Sequence, residues 1–162
     1  MKKILCLLTL IITLSSCSYR KTSPSNGLPD IGVPIEEINT RVRLSAPEGL
    51  NTFKIGDEVS LAVEVLSDDQ VAYAHDYGAR IFINQSNHWV EIENYKDYQQ
   101  GYIVLDPAKG DAFKLGLAVV NPRLPDQIEA ATLRIVLVGN LYRDKQISDT
   151  ETAAYIDVHL NK

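Results

Sequence analysis

Residues Gly56 to Leu66 read Gly-Asp-Glu-Val-Ser-Leu-Ala-Val-Glu-Val-Leu. In an extended chain Val59, Leu61, Val63 and Val65 fall on one side, and Glu58, Ser60, Ala62 and Glu64 on the other. A period of two suits a half-buried strand and does not suit a helix, whose faces repeat every 3.6 residues. The Gly-Asp pair opens the run as a turn. A chain with this stretch at its centre folds as β, and the later segments repeat the pattern.

Arg41 to Ser45 reads as a short first strand, and Pro47 to Asn51 turns the chain toward Phe53 and Ile55. Ser67 to Gln70 ends the central strand. Val71 to Gly78 has no clean period and reads as an irregular loop. Ala79 to Asn84 sets Ile81 and Ile83 on one side, and His88 to Ile92 returns after a polar turn. This predicts a hairpin with a loop a little longer than two residues. Tyr95 to Tyr102 is a polar aromatic loop, and Tyr102 to Leu105 an edge strand stopped by Asp106-Pro107. Ala112 to Val120 carries Phe113, Leu115, Leu117 and Val119 on one face.

Ala131 to Leu141 carries Leu133, Ile135, Leu137 and Leu141 inward, with Val136 and Val138 opposite. Apolar residues on both sides predict a strand that is covered on both faces or lies mid-sheet. Asp144 to Glu151 reads as a polar turn. Ala154, Ile156, Val158 and Leu160 then point inward, opposite Tyr155, Asp157 and His159. No window long enough for a helix shows a 3.6 period.

The sum is an all-β domain, an antiparallel two-sheet sandwich of about seven or eight strands with turn signals every 8–12 residues or so. That spacing resembles immunoglobulin-like and fibronectin-type modules. The chain departs from them in having no paired cysteines and in placing Trp89 on the return strand of a hairpin. The resemblance implies an architecture and no activity; a jelly roll or small barrel is the alternative.

Apolar residues make up 45% and charged residues 23% of the chain, the proportions of a globular protein. The two cysteines are Cys6 and Cys17, so nothing after residue 17 can form a disulfide, bind zinc through sulfur or act as a thiol nucleophile. Burial of apolar surface must hold the domain. The formal charge of −5 repels phosphate backbones, which argues against nucleic acid as a partner.

Met1-Lys2-Lys3 is basic, Ile4 to Leu14 is apolar, and Leu14-Ser15-Ser16-Cys17 follows. The apolar run is shorter than the ~20 residues that span a bilayer, and its flanks are those of a secretory signal peptide. Leu-Ser-Ser-Cys resembles the lipobox of bacterial lipoproteins. The resemblance implies a signal peptide over 1–16 and a diacylglyceryl group on Cys17, the new N-terminus. Two acyl chains anchor stably where one does not. Residues 17–39, with Pro24, Pro29 and Pro34, read as a flexible lipidated tether, and 40–162 as the sandwich. Ser18 stands where an aspartate would hold such a lipoprotein at the inner membrane. This implies the outer membrane in a two-membrane cell, and otherwise the outer face of the cell membrane.

No catalytic motif stands out, and no cofactor is expected. His75, His88 and His159 lie in no Gly-x-Ser-x-Gly setting. Glu91 and Glu93 share a strand face with Trp89, and Asp57-Glu58 is a second carboxylate pair. A glycosidase-type hydrolase would need such carboxyls flanking a bond, a remote reading. Asp68, Asp69, His75 and Asp76 are weak metal candidates around the irregular loop, matching no EF-hand. Tyr73, Tyr77, Trp89, Tyr95, Tyr98 and Tyr102 crowd into one third of the body. Exposed rings beside Asn94, Gln99 and Gln100 would make a surface for a glycan or a peptide. The expectation is a non-catalytic, membrane-anchored envelope protein, a binding or structural module. The alternatives are a carbohydrate-binding module and an accessory subunit engaged by strand addition.

Overall fold

The computed structural model describes residues 27–95 and 101–162; Cys17, the leader and Tyr98 lie outside them. The first sheet has three strands in the order β1-β3-β8. They are β1 (Val42–Ser45), β3 (Val59–Val65) and β8 (Leu115–Val120). The central strand is the alternating stretch that organises the sequence. Val59, Leu61, Val63 and Val65 are buried, and the residues between them are half-buried. At about 1.5–3 kcal/mol for each buried valine or leucine, this face alone ties the sheet to its partner.

The second sheet is built on two long strands, β9 (Ala130–Arg143) and β10 (Gln146–Asn161), paired antiparallel. Asp144 and Lys145 join them with φ of 52° and 63°, the two-residue turn whose twist suits a hairpin. The expected turn over Asp144 to Glu151 is therefore corrected: most of it is the start of β10, solvated and interrupted by a register shift between Ile147 and Glu151. At its far end β10 pairs in parallel with β2 (Thr52–Lys54).

The other side of β9 forks. Leu133 to Leu137 pair with β5 (Ala79–Gln85), which continues the sheet to β6 (His88–Ile92). Asn140 to Tyr142 pair with β4 (Gln70–Ala74), which continues to β7 (Tyr102–Leu105). The β5–β6 loop is only Ser86-Asn87, both at positive φ, so it is of the two-residue kind after all. The segment from Val71 that lacked a period is a strand. Val71, Ala72 and Tyr73 are all buried, and a strand covered on both faces has no reason to alternate.

Between the sheets lies one core of Val42, Leu61, Val63, Ile81, Ile135, Leu137, Val158 and their neighbours. The fold is an antiparallel two-sheet sandwich, with ten strands among the described residues. Two glycines leave room for close neighbours, Gly139 for the adjacent strand β4 and Gly116 for side chains from across the sandwich. A Cβ on Gly139 would lie 2.7 Å from Tyr73 Cε1 and 3.0 Å from the Ala72 carbonyl. One on Gly116 would collide with the Tyr77 hydroxyl.

Residues 27–39 are not a free tether; they belong to the fold. Val33 is buried against Phe82, Val136 and Ala153, with Ile31, Ile38, Trp89 and Tyr155 packed around them. These partners alternate with the core residues of their strands, so this cluster sits on the outer face of the second sheet. Pro29 and Pro34 exclude a helix there without excluding a strap. Among the described residues the domain reaches back to residue 27, well before residue 40.

Candidate functional site

On β8 the antiparallel register sets Gly116 opposite Val63, Ala118 opposite Leu61 and Val120 opposite Val59. That parity faces the core. Leu115 and Leu117 pair with Glu64 and Ala62 on the outer face, where Leu115 is 51% and Leu117 61% exposed. Phe113, in the single turn before the strand, is 55% exposed. The large apolar residues of this segment share one face, and that face is the outer one. The reason lies across the sandwich. Tyr77 and Leu105 reach over from the second sheet and occupy the space under Gly116. Nothing larger than glycine fits on the inner side at position 116, and Leu115 and Leu117 on either side of it are left outside.

The result is an apolar stripe of Phe113, Leu115 and Leu117, with Leu66 nearby and 47% exposed. Ion pairs flank it: Arg43 with Glu64, and Lys114 with Asp111 at 2.8 Å. The Val65 amide donates to the Lys114 carbonyl at 2.9 Å. In an antiparallel ladder the bonded pairs alternate, so Leu115, Leu117 and Val119 turn their backbone groups away from β3. β8 ends its sheet, and its apolar stripe runs along that edge. Exposed apolar edge strands are what natural proteins cover or use.

A second cluster lies on the opposite face. Arg134 is 7% exposed and forks onto Asp157, with Nε to Oδ1 at 2.7 Å and NH2 to Oδ2 at 2.8 Å. Its NH1 donates to the Gly27 carbonyl at 3.1 Å. The guanidinium lies 4.3 Å from the Trp89 ring centre and 4.5 Å from that of Tyr155. Farther along the strap, the Asn39 amide donates to the Ala153 carbonyl at 2.8 Å, and the Tyr155 amide to Asn39 Oδ1 at 2.9 Å. Thr152 Oγ1 donates to the Glu37 carbonyl.

The predicted aromatic surface does not assemble. Tyr73 and Tyr77 are buried in the core with ring centres 5.3 Å apart. Burial pushes both phenols up, and for Tyr77 a backbone hydrogen bond from Leu117 works against that. Phe82 and Trp89 pack under the strap. Tyr95 and Tyr102 are exposed, but Arg123 lies 3.9 Å over the Tyr95 ring and Tyr142 packs beside Tyr102. Tyr98 lies outside the described residues.

The metal candidates are corrected as well. Strand β4 separates Asp68 and Asp69 from His75 and Asp76, and five residues of strand span ~16 Å. Asp69 instead pairs with Arg41, and Asp76 accepts from the Gly78 amide at 3.0 Å. Among the described residues no group of three or more His, Cys, Asp or Glu side chains could hold a metal ion. Glu91 takes the Arg80 fork at 2.8 and 2.7 Å, which holds its carboxyl below the usual glutamate range. It is an ion-pair partner, the opposite of a proton donor with a raised pKa. An open cleft of about 490 Å³ is lined by Thr52, Ala130, Ala131, Thr132, His159 and Asn161. Thr132 Oγ1 lies 3.1 Å from His159 Nδ1, and the lining contains no carboxylate.

Comparison with protein-family models, with curated proteins and with solved structures finds no match. Among the described residues no helix is long and apolar enough to cross a membrane.

Proposed function

We propose that this chain is an exported, lipid-anchored envelope protein that works without catalysis, as a binding module for another envelope protein. The observation that carries the reading is the stripe of Phe113, Leu115 and Leu117 on an edge strand. Its occupant is a protein with an apolar surface of its own. Where the chain leaves the fold favours that over lipid. Gly27, the residue nearest Cys17 in the described fold, lies on the second sheet, and the stripe is on the outer face of the first. An anchored domain therefore turns the stripe away from its own membrane attachment. A glycan surface has less support, because Tyr73, Tyr77 and Phe82 are buried.

The test is photo-crosslinking in the native cell, with a benzophenone side chain at position 117 of the full chain. The expected result is one discrete adduct. It should disappear when Phe113 and Leu115 are both changed to Lys while the melting temperature holds. No adduct, or one that survives those changes, would remove the reading. Mass spectrometry of the purified protein tests the anchor, and an unmodified Cys17 would refute it.

A further inference from the structure

The strap of residues 27–39 lies on the face opposite the stripe and is bound at both ends. At one end the Gly27 carbonyl accepts from Arg134, whose guanidinium is fixed by the Asp157 fork and by the Trp89 and Tyr155 rings. At the other, Ile38 bridges Ala153 in parallel, and Asn39 bonds both Ala153 and Tyr155. Between them, Leu28 and Val33 are buried. Lifting the strap would bare Val136, Ala153 and Phe82 and leave Thr152 without its acceptor.

We propose that this strap is a clamp that shortens the leash between Cys17 and the domain and thereby orients the domain on its membrane. Without the clamp up to 22 residues, 18–39, would separate the anchor from the sandwich; with it at most nine do, 18–26. Fully extended, these leashes reach at most about 80 Å and about 35 Å. Only the longer one lets the domain turn over freely. The shorter keeps the Trp89 side of the second sheet toward the bilayer and the β8 stripe toward the space beyond. The orientation rests on the lipoprotein reading; the clamp itself rests on the contacts alone.

Trp89 is the sole tryptophan and sits at the clamp, so it reports the distance. The full-length lipidated protein is placed in phosphatidylcholine vesicles carrying dansyl-labelled headgroups. Energy transfer from Trp89 is compared with that of a variant with thirteen Gly/Ser residues inserted after Ser18. A clamped strap predicts a fall of at least threefold on insertion. An unchanged signal would overturn the orientation.

Amide exchange tests the clamp separately. The Asn39 and Tyr155 amides should exchange at least a hundredfold slower than unstructured peptide. Arg134→Lys, which keeps the charge but loses the fork, should speed exchange over residues 28–33 at least tenfold. Coil-like exchange of the Asn39 amide in the unaltered protein would overturn the clamp. A Cys17 found without lipid would overturn the lipoprotein reading and the orientation together, while slow exchange would still uphold the clamp.

Discussion

The two outer faces of the sandwich are treated in opposite ways. On the seven-stranded sheet Val136 and Ala153 are fully buried, because thirteen residues of strap cover them. On the three-stranded sheet Leu115 and Leu117 have no such cover among the described residues and stay more than half exposed. Both faces carry apolar side chains at alternate positions. What differs is that the chain covers one face with its own N-terminal segment and leaves the other to solvent or a partner. The lesson is that an apolar alternate position does not by itself mean core, since a neighbouring layer must have room for it.

The sharpest way to break this comparison is to put a charge on each face. Val136→Asp would bury an unpaired carboxylate under the strap, which should cost about 4 kcal/mol or more or prevent folding. Leu117→Lys should stay within about 0.5 kcal/mol of the unaltered protein. Urea unfolding of both reads the difference. Equal costs would mean that the stripe is not the open surface described.

The faces also differ in how far the sequence revealed them. β3, β9 and β10 were legible because their inner positions are large and their outer ones are polar or visibly part of a covered strand. β8 was not, because both of its parities are apolar. Phe113, Leu115 and Leu117 outweigh Gly116 and Ala118 in any hydrophobic count. The choice between them was made by Tyr77, a residue about 40 positions away in sequence. The small residues at 116 and 118, alternating with leucines, were the one local sign of it. The strap hid behind its prolines, and β4 behind burial on both faces. The aromatic cluster misled for a related reason. Crowding in sequence placed the rings in one region of the fold, but Tyr73 and Tyr77 serve the packing there.

The next two tests bear on the layer between the faces. Gly139→Ala would drive a methyl to 2.9 Å from Val71 Cγ1 and onto the Ala72 carbonyl, and backbone cannot swing aside. It should cost about 1–3 kcal/mol, read as a lower urea midpoint with an unchanged slope. A neutral result would mean that β4 and β9 are more loosely packed at Tyr73 than the geometry requires. Tyr73→Phe acts in the other direction. The Tyr73 hydroxyl is buried with no hydrogen-bond partner among the described residues, so removing it should stabilise the fold by about 1 kcal/mol. A loss of more than that would show that the hydroxyl is paired, for example with a buried water.

The smallest effect is a pH dependence, and it sharpens the contrast by locating it on the covered side. Glu37, at the end of the strap, is held below its ordinary value of 4.5 by the Arg41 hydrogen bond, and Glu91, on β6, by the Arg80 fork. A carboxyl whose folded pKa is depressed binds its proton more readily in the unfolded chain. Each therefore contributes stability above the unfolded value, and that contribution is lost as pH falls through 4.5 and past the depressed folded value. Both pairs are partly open to solvent, so salt screens them and the change is small. Melting temperature between pH 7 and pH 3 should fall less steeply for the Glu37→Gln, Glu91→Gln double variant than for the unaltered protein. The Asn39 amide should also lose part of its exchange protection over the same interval in the unaltered protein, because Glu37 and Asn39 belong to one strap. If the two melting curves stay parallel throughout, these ion pairs do not help hold the strap side down, and packing by Val33, Ile38 and their neighbours does so alone.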